Sequence, residues 1–411
     1  MPAISVITPF HKHNNQFLLD AYESLLSQDF LDWEWVLVPN GEALDMDLSH
    51  FSDSRVKVHR FEYGGGRVGA LKRYACSCAN ASIIVELDWD DMLTPDCLSE
   101  VWAAFHQNPG VSFVYSNMAQ VDINMRPYGE WNVDCGPGRR PFTYKGRELV
   151  EAVFKDEHSQ PHDMLRTWFA PNHVRAWSAR SYWNVGGHDV DMVFSDDHDL
   201  MAKLFLQGRF HHINKCLYIY RIHSGSVTTT LRSEIEATRW DMYDKYVYPL
   251  VERWADINGL KKVNLLPDYF PWEGYEGLEV ESEKPWPLES GSVGVIRAHD
   301  AIHRLKNPIH VMNEAYRVLS HGGFFMILTP STDGAAAFSD PNTRSYWNEN
   351  SFWYYTSKSH QRYIRTLSQC RYQVMRVRTF PLSLRDNQLY TQANLICIKN
   401  EHPKFSGGLN I

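Results

Sequence analysis

The sequence lacks any apolar run near the roughly 18 residues that a bilayer-spanning helix needs, so no membrane span is expected. It lacks an excess of positive charge: 41 Lys and Arg stand against 49 Asp and Glu, a formal net charge of −8. That balance argues against non-specific binding to a polyanion, which requires Lys and Arg to neutralise phosphates. The seven cysteines form no zinc pattern, because Cys76 and Cys78 make a C-x-C and no second pair follows at metal spacing. Buried free thiols in a reducing compartment are the simple reading. The opening residues, Met1 to Pro9, read as a strand and not as a signal peptide, so a cytoplasmic location is expected. Internal repeats and low-complexity tracts are also missing.

What is present fits a globular chain of two or three domains, with 44% hydrophobic and 22% charged residues over 411 positions. The 14 Trp either stack bases or sugars in clefts or simply pack the core. The basic stretch Arg139, Arg140, Lys145, Arg147 reads as a solvated loop.

Strand and helix patterns alternate along the first half. Ile4 to Thr8 is a β-branched run that stops at Pro9, and Gln16 to Gln28 has helical periodicity. Trp35 to Val38 is a strand halted by Pro39-Asn40-Gly41, and Val56 to Val58 is a third. A helix over Val68–Ala79 leads into an apolar strand over Ser82–Leu87. This alternation predicts an α/β fold with a mixed, mostly parallel sheet. Ligands in such sheets sit beyond the carboxyl ends of the strands, where Pro9, Asn40 and Asp88 all lie. From Pro127 to Gln160 the chain looks irregular, like a connecting or lid segment. A helix from Asp197 to Gln207 and a strand from Cys216 to Tyr220 follow. The expected division is a first domain over 1–235, a linker helix over 236–262, and a smaller α/β domain over 263–411.

The densest chemical signal is Asp88, Asp90 and Asp91, directly after the apolar run Ile83-Ile84-Val85-Glu86-Leu87. Their mutual repulsion is relieved by a bound cation, and Mg²⁺ and Mn²⁺ favour carboxylate oxygens and bridge to phosphates. Helix capping by Asp91 or Thr94 before Pro95 is the plainer use of the same residues.

Five segments in order resemble family 2 glycosyltransferases of the GT-A fold over roughly residues 3–230. Ser5-Val6-Ile7-Thr8-Pro9-Phe10 is similar to the family's first strand, and Leu87-Asp88-Trp89-Asp90-Asp91 to its L-D-x-D-D. Gly186-Gly187-His188-Asp189 stands where the family has G-G-F-D. Ser195-Asp196-Asp197-His198-Asp199-Leu200 resembles E-D-x-D-L, and Tyr220-Arg221-Ile222-His223 the closing Y-R-x-H. The resemblance implies a nucleotide-sugar donor, UDP-linked by expectation, and a divalent Mn²⁺ or Mg²⁺. It implies that Asp88 and Asp90 hold ribose and metal, with Trp89 in the same donor site, and that His223 completes the metal shell. Asp197 is the implied general base, with Asp196 as runner-up. Pro9, Phe10 and Asn40 match positions around the nucleobase, Lys72 a position near base and diphosphate, and Gly187 one where backbone approaches the donor. Trp168, His173 and Arg175 face the acceptor or diphosphate, or are structural. Two departures stand out: Pro39-Asn40-Gly41 replaces an Asp-Asp-Gly, and Asp196 replaces a Glu. No covalent nucleophile stands out, so inversion is expected. The expected acceptor is a hydroxyl, such as a glycan's, with a hydroxylated base in DNA as an alternative.

Residues 285–400 resemble class I methyltransferases, through Pro285 to Ile296, Ile302-His303-Arg304-Leu305, and Glu314 to Gly323. The Gly-rich turn of an S-adenosylmethionine site has no room before Pro285, and Gly274-Tyr275-Glu276-Gly277 is not one. A truncated Rossmann-like module is expected, extending the acceptor surface or mediating an oligomer. A bifunctional transferase is the alternative. The helix Ile309–Leu319 is expected to end on Gly322-Gly323, and Tyr372–Phe380 and Asn394–Lys399 to pair as antiparallel strands. The aromatic run Tyr346 to Tyr355 is either a contact surface or core.

Overall fold

The computed structural model describes the chain through residue 399, except residues 12–14, 63–65, 129–137, 155–159, 167–170, 172, 225–231, 267–271, 365–366, 369 and 384–386. The chain divides into two compact units, Met1–Tyr246 and Val247–Ile411.

In the first unit, a ten-stranded sheet is built from β1 (Ile4–Phe10), β2 (Trp33–Pro39), β3 (Val56–Val58), β4 (Ile83–Glu86), β5 (Met92–Leu93), β6 (Val111–Val121), β7 (Gly138–Tyr144), β8 (Arg147–Val153), β9 (Arg175–Ser178) and β10 (Arg209–Arg221). The order is β3-β2-β1-β4-β9-β6-β10-β5, with β8 on β6 and β7 on β8. β1 is parallel to β2 and β4, β2 to β3, and β6 to β10. β9 runs antiparallel between β4 and β6. All seven residues of β2 and all four of β4 are buried, as expected of strands covered on both faces, which read as continuous apolar runs. The carboxyl ends of β1, β2, β4, β6 and β10 therefore share one edge with the amino end of β9. Chain order reverses direction across the sheet at β1, between β2 and β4, the place where such sheets open a ligand crevice.

Among the described residues, six helices accompany this sheet: α1 (Asn15–Leu26), α2 (Val68–Cys78), α3 (Cys97–Gln107), α4 (Gln160–Arg166), α5 (Ala179–Asn184) and α6 (Asp196–Gln207). A seventh, α7 (Arg232–Ile257), contains the boundary between the units. The segment expected to be irregular holds the β7–β8 hairpin instead. Its turn is Lys145-Gly146, both at positive φ (47° and 74°), the geometry of a tight two-residue hairpin turn. Lys-Gly is a poor signature for it, because Asn or Asp usually takes the first position. Arg140 on β7 forms an ion pair with Glu151 on β8. Among the described residues, no helix is long and apolar enough to cross a membrane.

The second unit holds a six-stranded sheet of β11 (Lys261–Leu265), β12 (Glu276–Leu278), β13 (Val293–His299), β14 (Leu319–Pro330), β15 (Tyr372–Ser383) and β16 (Gln388–Cys397) in the order β12-β11-β13-β14-β16-β15. The first four are parallel and the last two antiparallel. α8 (Pro308–Val318) starts with Pro at N1 and the Asn307 side chain accepting from His310 N–H, the expected start chemistry. Its end is corrected: the chain turns extended at Leu319 and enters β14 directly, so Gly322 and Gly323 lie within a strand. A Cβ on Gly323 would meet Leu319 Cδ2 at 3.0 Å and Val293 O at 3.2 Å, so a side chain there would crowd the neighbouring strand. The aromatic run divides by face: Trp347, Phe352 and Tyr355 are buried, while Tyr346, Trp353 and Tyr354 are exposed.

Candidate active site

Glu86 ends β4 with its side chain fully buried, and its register partner across the sheet is Arg175, the first residue of β9. A buried carboxylate needs cationic partners, and two reach it. Lys72 Nζ from α2 lies 2.7 Å from Glu86 Oε1 and 3.0 Å from Asp196 Oδ2. Arg175 Nη1 lies 3.6 Å from Glu86 Oε2, and its Nη2 donates to Asp197 Oδ2 at 2.7 Å. Asp196 and Asp197 open α6, where the helix dipole favours negative charge. Three carboxylates and two cations thus form one network at the strand ends.

Burial sets the first term at each acid, and the cations then separate them. At Glu86 burial opposes ionisation, but Lys72 and Arg175 outweigh it and hold the carboxyl well below the usual range. At Asp197 burial again pushes up, and Arg175 and then Lys72 turn the balance, leaving it below its ordinary value. At Asp196 burial prevails: Lys72 offsets only part of it, and the adjacent Asp197 charge pushes it further up. The Asp197 side chain is 25% exposed and that of Asp196 8%, so Asp197 is the one that a substrate can reach.

The acidic triplet after β4 splits into three roles. Asp91 is buried and accepts from Tyr218 Oη at 2.9 Å and Arg221 N–H at 2.7 Å. It braces this loop against β10 and is not free to bind a cation. Asp90 Oδ2 lies 2.7 Å from His223 Nε2, across a separation of 133 residues. The His223 ring packs against Phe17 and Trp89, with centroids 5.4 and 5.9 Å away. Arg221 fixes this end of β10 by pairing with Asp20 of α1 at 2.6 Å and covering the Phe17 ring at 4.2 Å. Asp88 does not join the Asp90–His223 pair. Its backbone N–H donates to Tyr218 Oη at 3.1 Å, and its Oδ2 lies 3.6 Å from His173 Nε2. Burial, then the Glu86 and Asp90 charges, raise its pKa, moderated by a side chain that is still 35% exposed. Burial and then Arg175 keep His173 neutral, and its ring stacks on Tyr218 at 4.4 Å. Among the described residues, no group of three or more His, Cys, Asp or Glu is arranged to hold a metal ion.

Four other expected positions are revised. Phe10 is buried in the core and presents no face to a base, whereas Pro9 beside it is partly exposed. Asn40 donates its side-chain N–H to Phe61 O at 2.7 Å, which ties down the loop after β3. Lys72 is committed between Glu86 and Asp196. Gly187 (φ 65°) is glycine for packing: a Cβ there would meet Tyr182 Cε1 at 2.6 Å. Trp168 lies outside the described residues. Glu86, Tyr218 and Arg221 hold the site together, although sequence reasoning gave them no role. The one available signal was an acid at the end of an otherwise apolar run, at Glu86.

A carboxylate–imidazole pair and a second acid cluster at a helix N-terminus, both at the strand ends of a mixed sheet of this order, have the architecture of a GT-A glycosyltransferase. Residues 5–151 match the family model described as Glycosyl transferase family 2, and residues 272–327 match one described as Methyltransferase domain. Residues 5–151 thus belong to glycosyltransferase family 2, in a chain that also carries a methyltransferase-type domain. The chain is 26% identical over 237 residues to the O-antigen biosynthesis protein RfbC of Myxococcus xanthus, covering 56% of this chain and 16% of that one. It is 30% identical over 125 residues to the UDP-Glc:alpha-D-GlcNAc-diphosphoundecaprenol beta-1,3-glucosyltransferase WfgD of Escherichia coli, covering 29% of this chain and 47% of that one. The crystal structure of S. aureus TarS 1-349 in complex with UDP-GlcNAc aligns with a TM-score of 0.46 at 14% identity, over 62% of this chain and 71% of that one. The chain spans less than a third of the length of several curated relatives that it matches.

Proposed function

We propose that the first unit is a metal-dependent, inverting glycosyltransferase that moves a sugar from a UDP-sugar to a hydroxyl group of a glycan. The observation that supports it most is the meeting of Asp90 and His223 at 2.7 Å, and a partly exposed Asp197, held below its ordinary pKa by Arg175, adds a base. UDP as the donor's nucleotide and a glycan as acceptor take support from the names of WfgD and RfbC.

The residues fit a divalent ion as an incomplete site. One carboxylate oxygen and one imidazole nitrogen face each other; Asp90 and His223 would hold the ion, and the remaining ligands would have to come from substrate and water, as Mg²⁺ and Mn²⁺ allow. An ion held by Asp90 and His223 supplies Lewis-acid neutralisation of the departing diphosphate. Asp197 accepts the acceptor's hydroxyl proton, which requires its carboxylate about 2.6–3.2 Å from that oxygen. Arg175 holds Asp197 in place and ionised. Asp196 is turned to Lys72 and keeps α6 in position. Displacement in a single step places the acceptor on the face opposite the leaving group, which inverts the anomeric centre.

The second unit does not transfer methyl groups in this proposal. Residues 266–275 alone separate β11 from β12, too few for a Gly-rich turn and a crossover helix. The test is a UDP-sugar panel assayed for hydrolysis and transfer with Mn²⁺ and with EDTA, the product's anomeric configuration being read by NMR. Turnover that EDTA leaves intact removes the metal, and a retained configuration removes the single displacement.

A further inference from the structure

The second unit contains a cavity of about 310 Å³ that the transfer reaction does not use. It lies at the carboxyl ends of β13 and β14, and Asp300, Arg304, Asp340, Gln388 and Tyr390 line it. Asp340 accepts from Arg304 Nε at 2.9 Å and lies 3.2 Å from His303 Nε2. Asp300 holds a left-handed backbone (φ 50°), fixed by its N–H donating to Leu328 O at 2.9 Å. Such a conformation in a non-glycine residue is sparsely populated and gathers at ligand sites.

The wall chemistry narrows the ligand. Two carboxylates outnumber one guanidinium, and burial keeps His303 neutral, so the cavity repels phosphates and carboxylates. No set of three His, Cys, Asp or Glu among the described residues suits a metal ion. The lining takes no residue from β11 or β12, the strands whose ends a dinucleotide or S-adenosylmethionine would occupy. What remains is a neutral ligand that meets closely spaced donors and acceptors, which is the chemistry of adjacent sugar hydroxyls.

A separate observation points the same way. Phe338 and Tyr346 are 66% and 57% exposed, and their ring centroids are 5.5 Å apart. Phe338 sits in the chain between Ala336 and Ser339, both of which line the cavity. Large rings left in water beside a polar pocket mark a surface that a partner covers. An aromatic face suits the C–H face of a pyranose, whose hydroxyls then point to the polar wall. We propose that this cavity and its aromatic rim bind a neutral saccharide. The volume, at the small end of the roughly 300–1,000 Å³ range for ligand pockets, fits a ligand of one or two rings. The inference does not depend on the transfer reaction in the first unit.

The test titrates the full chain with neutral tetrasaccharides of glucose, galactose and N-acetylglucosamine, read by calorimetry and saturation-transfer NMR. A Phe338→Ala/Tyr346→Ala double variant removes exposed rings, and Asp300→Asn removes a charge while tolerating the left-handed backbone. Binding of at least one saccharide, weakened about tenfold or more in both variants with unchanged thermal midpoints, is expected. The proposal is overturned if no saccharide binds, if binding survives both variants, or if the variants instead abolish binding of S-adenosylmethionine. Donor hydrolysis by the unmodified chain is scored separately, so failure of the transfer reading leaves this result intact.

Discussion

Arg175 Nη2 lies 2.7 Å from Asp197 Oδ2 while Nη1 of the same guanidinium lies 3.6 Å from Glu86 Oε2. One side chain at the start of β9 therefore links the end of β4 to the start of α6. Asp197 is a base only when ionised, and burial works against that state, with Arg175 as the first force restoring it. Removing the guanidinium leaves burial less opposed and raises the Asp197 pKa. The acid limb of the kcat profile then moves to higher pH, so Arg175→Ala loses more activity under mildly acidic than under alkaline conditions. A pH–rate profile checks this. An acid limb that stays in place while activity falls evenly would assign Arg175 a purely structural role.

Asp90 and His223 act as one unit in the proposed reaction, because either alone leaves a single protein donor for the ion. Asp90→Asn and His223→Ala are each expected to lower Mn²⁺-dependent donor turnover by roughly 100-fold or more. The double variant should be little worse than either single one, since residues acting together are strongly non-additive. Turnover measured over a Mn²⁺ titration decides it: losses that simply multiply would mean that the two side chains serve separate steps.

Much of this site was legible because its signals are local. Asp88, Asp90 and Asp91 follow an unbroken apolar run, and strand ends in an α/β pattern are where ligands sit. What the triplet could not reveal is how its members divide, since that depends on Tyr218 and Arg221, which arrive on β10. Lys72 shows the same limit. Its spacing in α2 says nothing of Glu86 and Asp196, which reach it from two other elements. The β7–β8 hairpin was missed for a different reason: Lys145-Gly146 adopts a turn usually signalled by Asn or Asp, and the exposed residues of β7 carry little apolar alternation. In the second unit, β11 and β12 are short and escaped a reading by periodicity, whereas the antiparallel pair β15 and β16 was expected.

Lys72 is the only cation within 3.0 Å of both Glu86 and Asp196 among the ion pairs of the described residues. Its loss leaves two buried carboxylates with only part of their compensation. Removing one partner of a buried pair costs about 3–5 kcal/mol, and Lys72→Ala is expected in that range by urea denaturation. Lys72→Ala with Asp196→Asn should recover part of the loss, because one of the stranded charges goes with it. A loss below about 1 kcal/mol, the scale of an exposed pair, would mean that water reaches this network freely.

Gly187 separates a packing role from a donor-binding one. It holds φ 65°, where a side chain is strained, and an added Cβ would lie 2.6 to 2.8 Å from Cε1, Cζ and Oη of Tyr182. Tyr182 cannot withdraw cheaply, since its hydroxyl lies 2.9 Å from His188 Nδ1 and also accepts the His188 N–H at 3.1 Å. Gly187→Ala is therefore expected to destabilise the chain by at least about 1–3 kcal/mol from backbone strain alone, with the ring overlap added. Adding Tyr182→Ala removes the overlap but also the hydroxyl that His188 uses, so the recovery should be partial. At temperatures where Gly187→Ala stays folded, the KM for the donor should match that of the unmodified chain. A raised KM without lost stability would return Gly187 to the donor site, because only direct approach of the nucleotide-sugar to this backbone could produce that pattern.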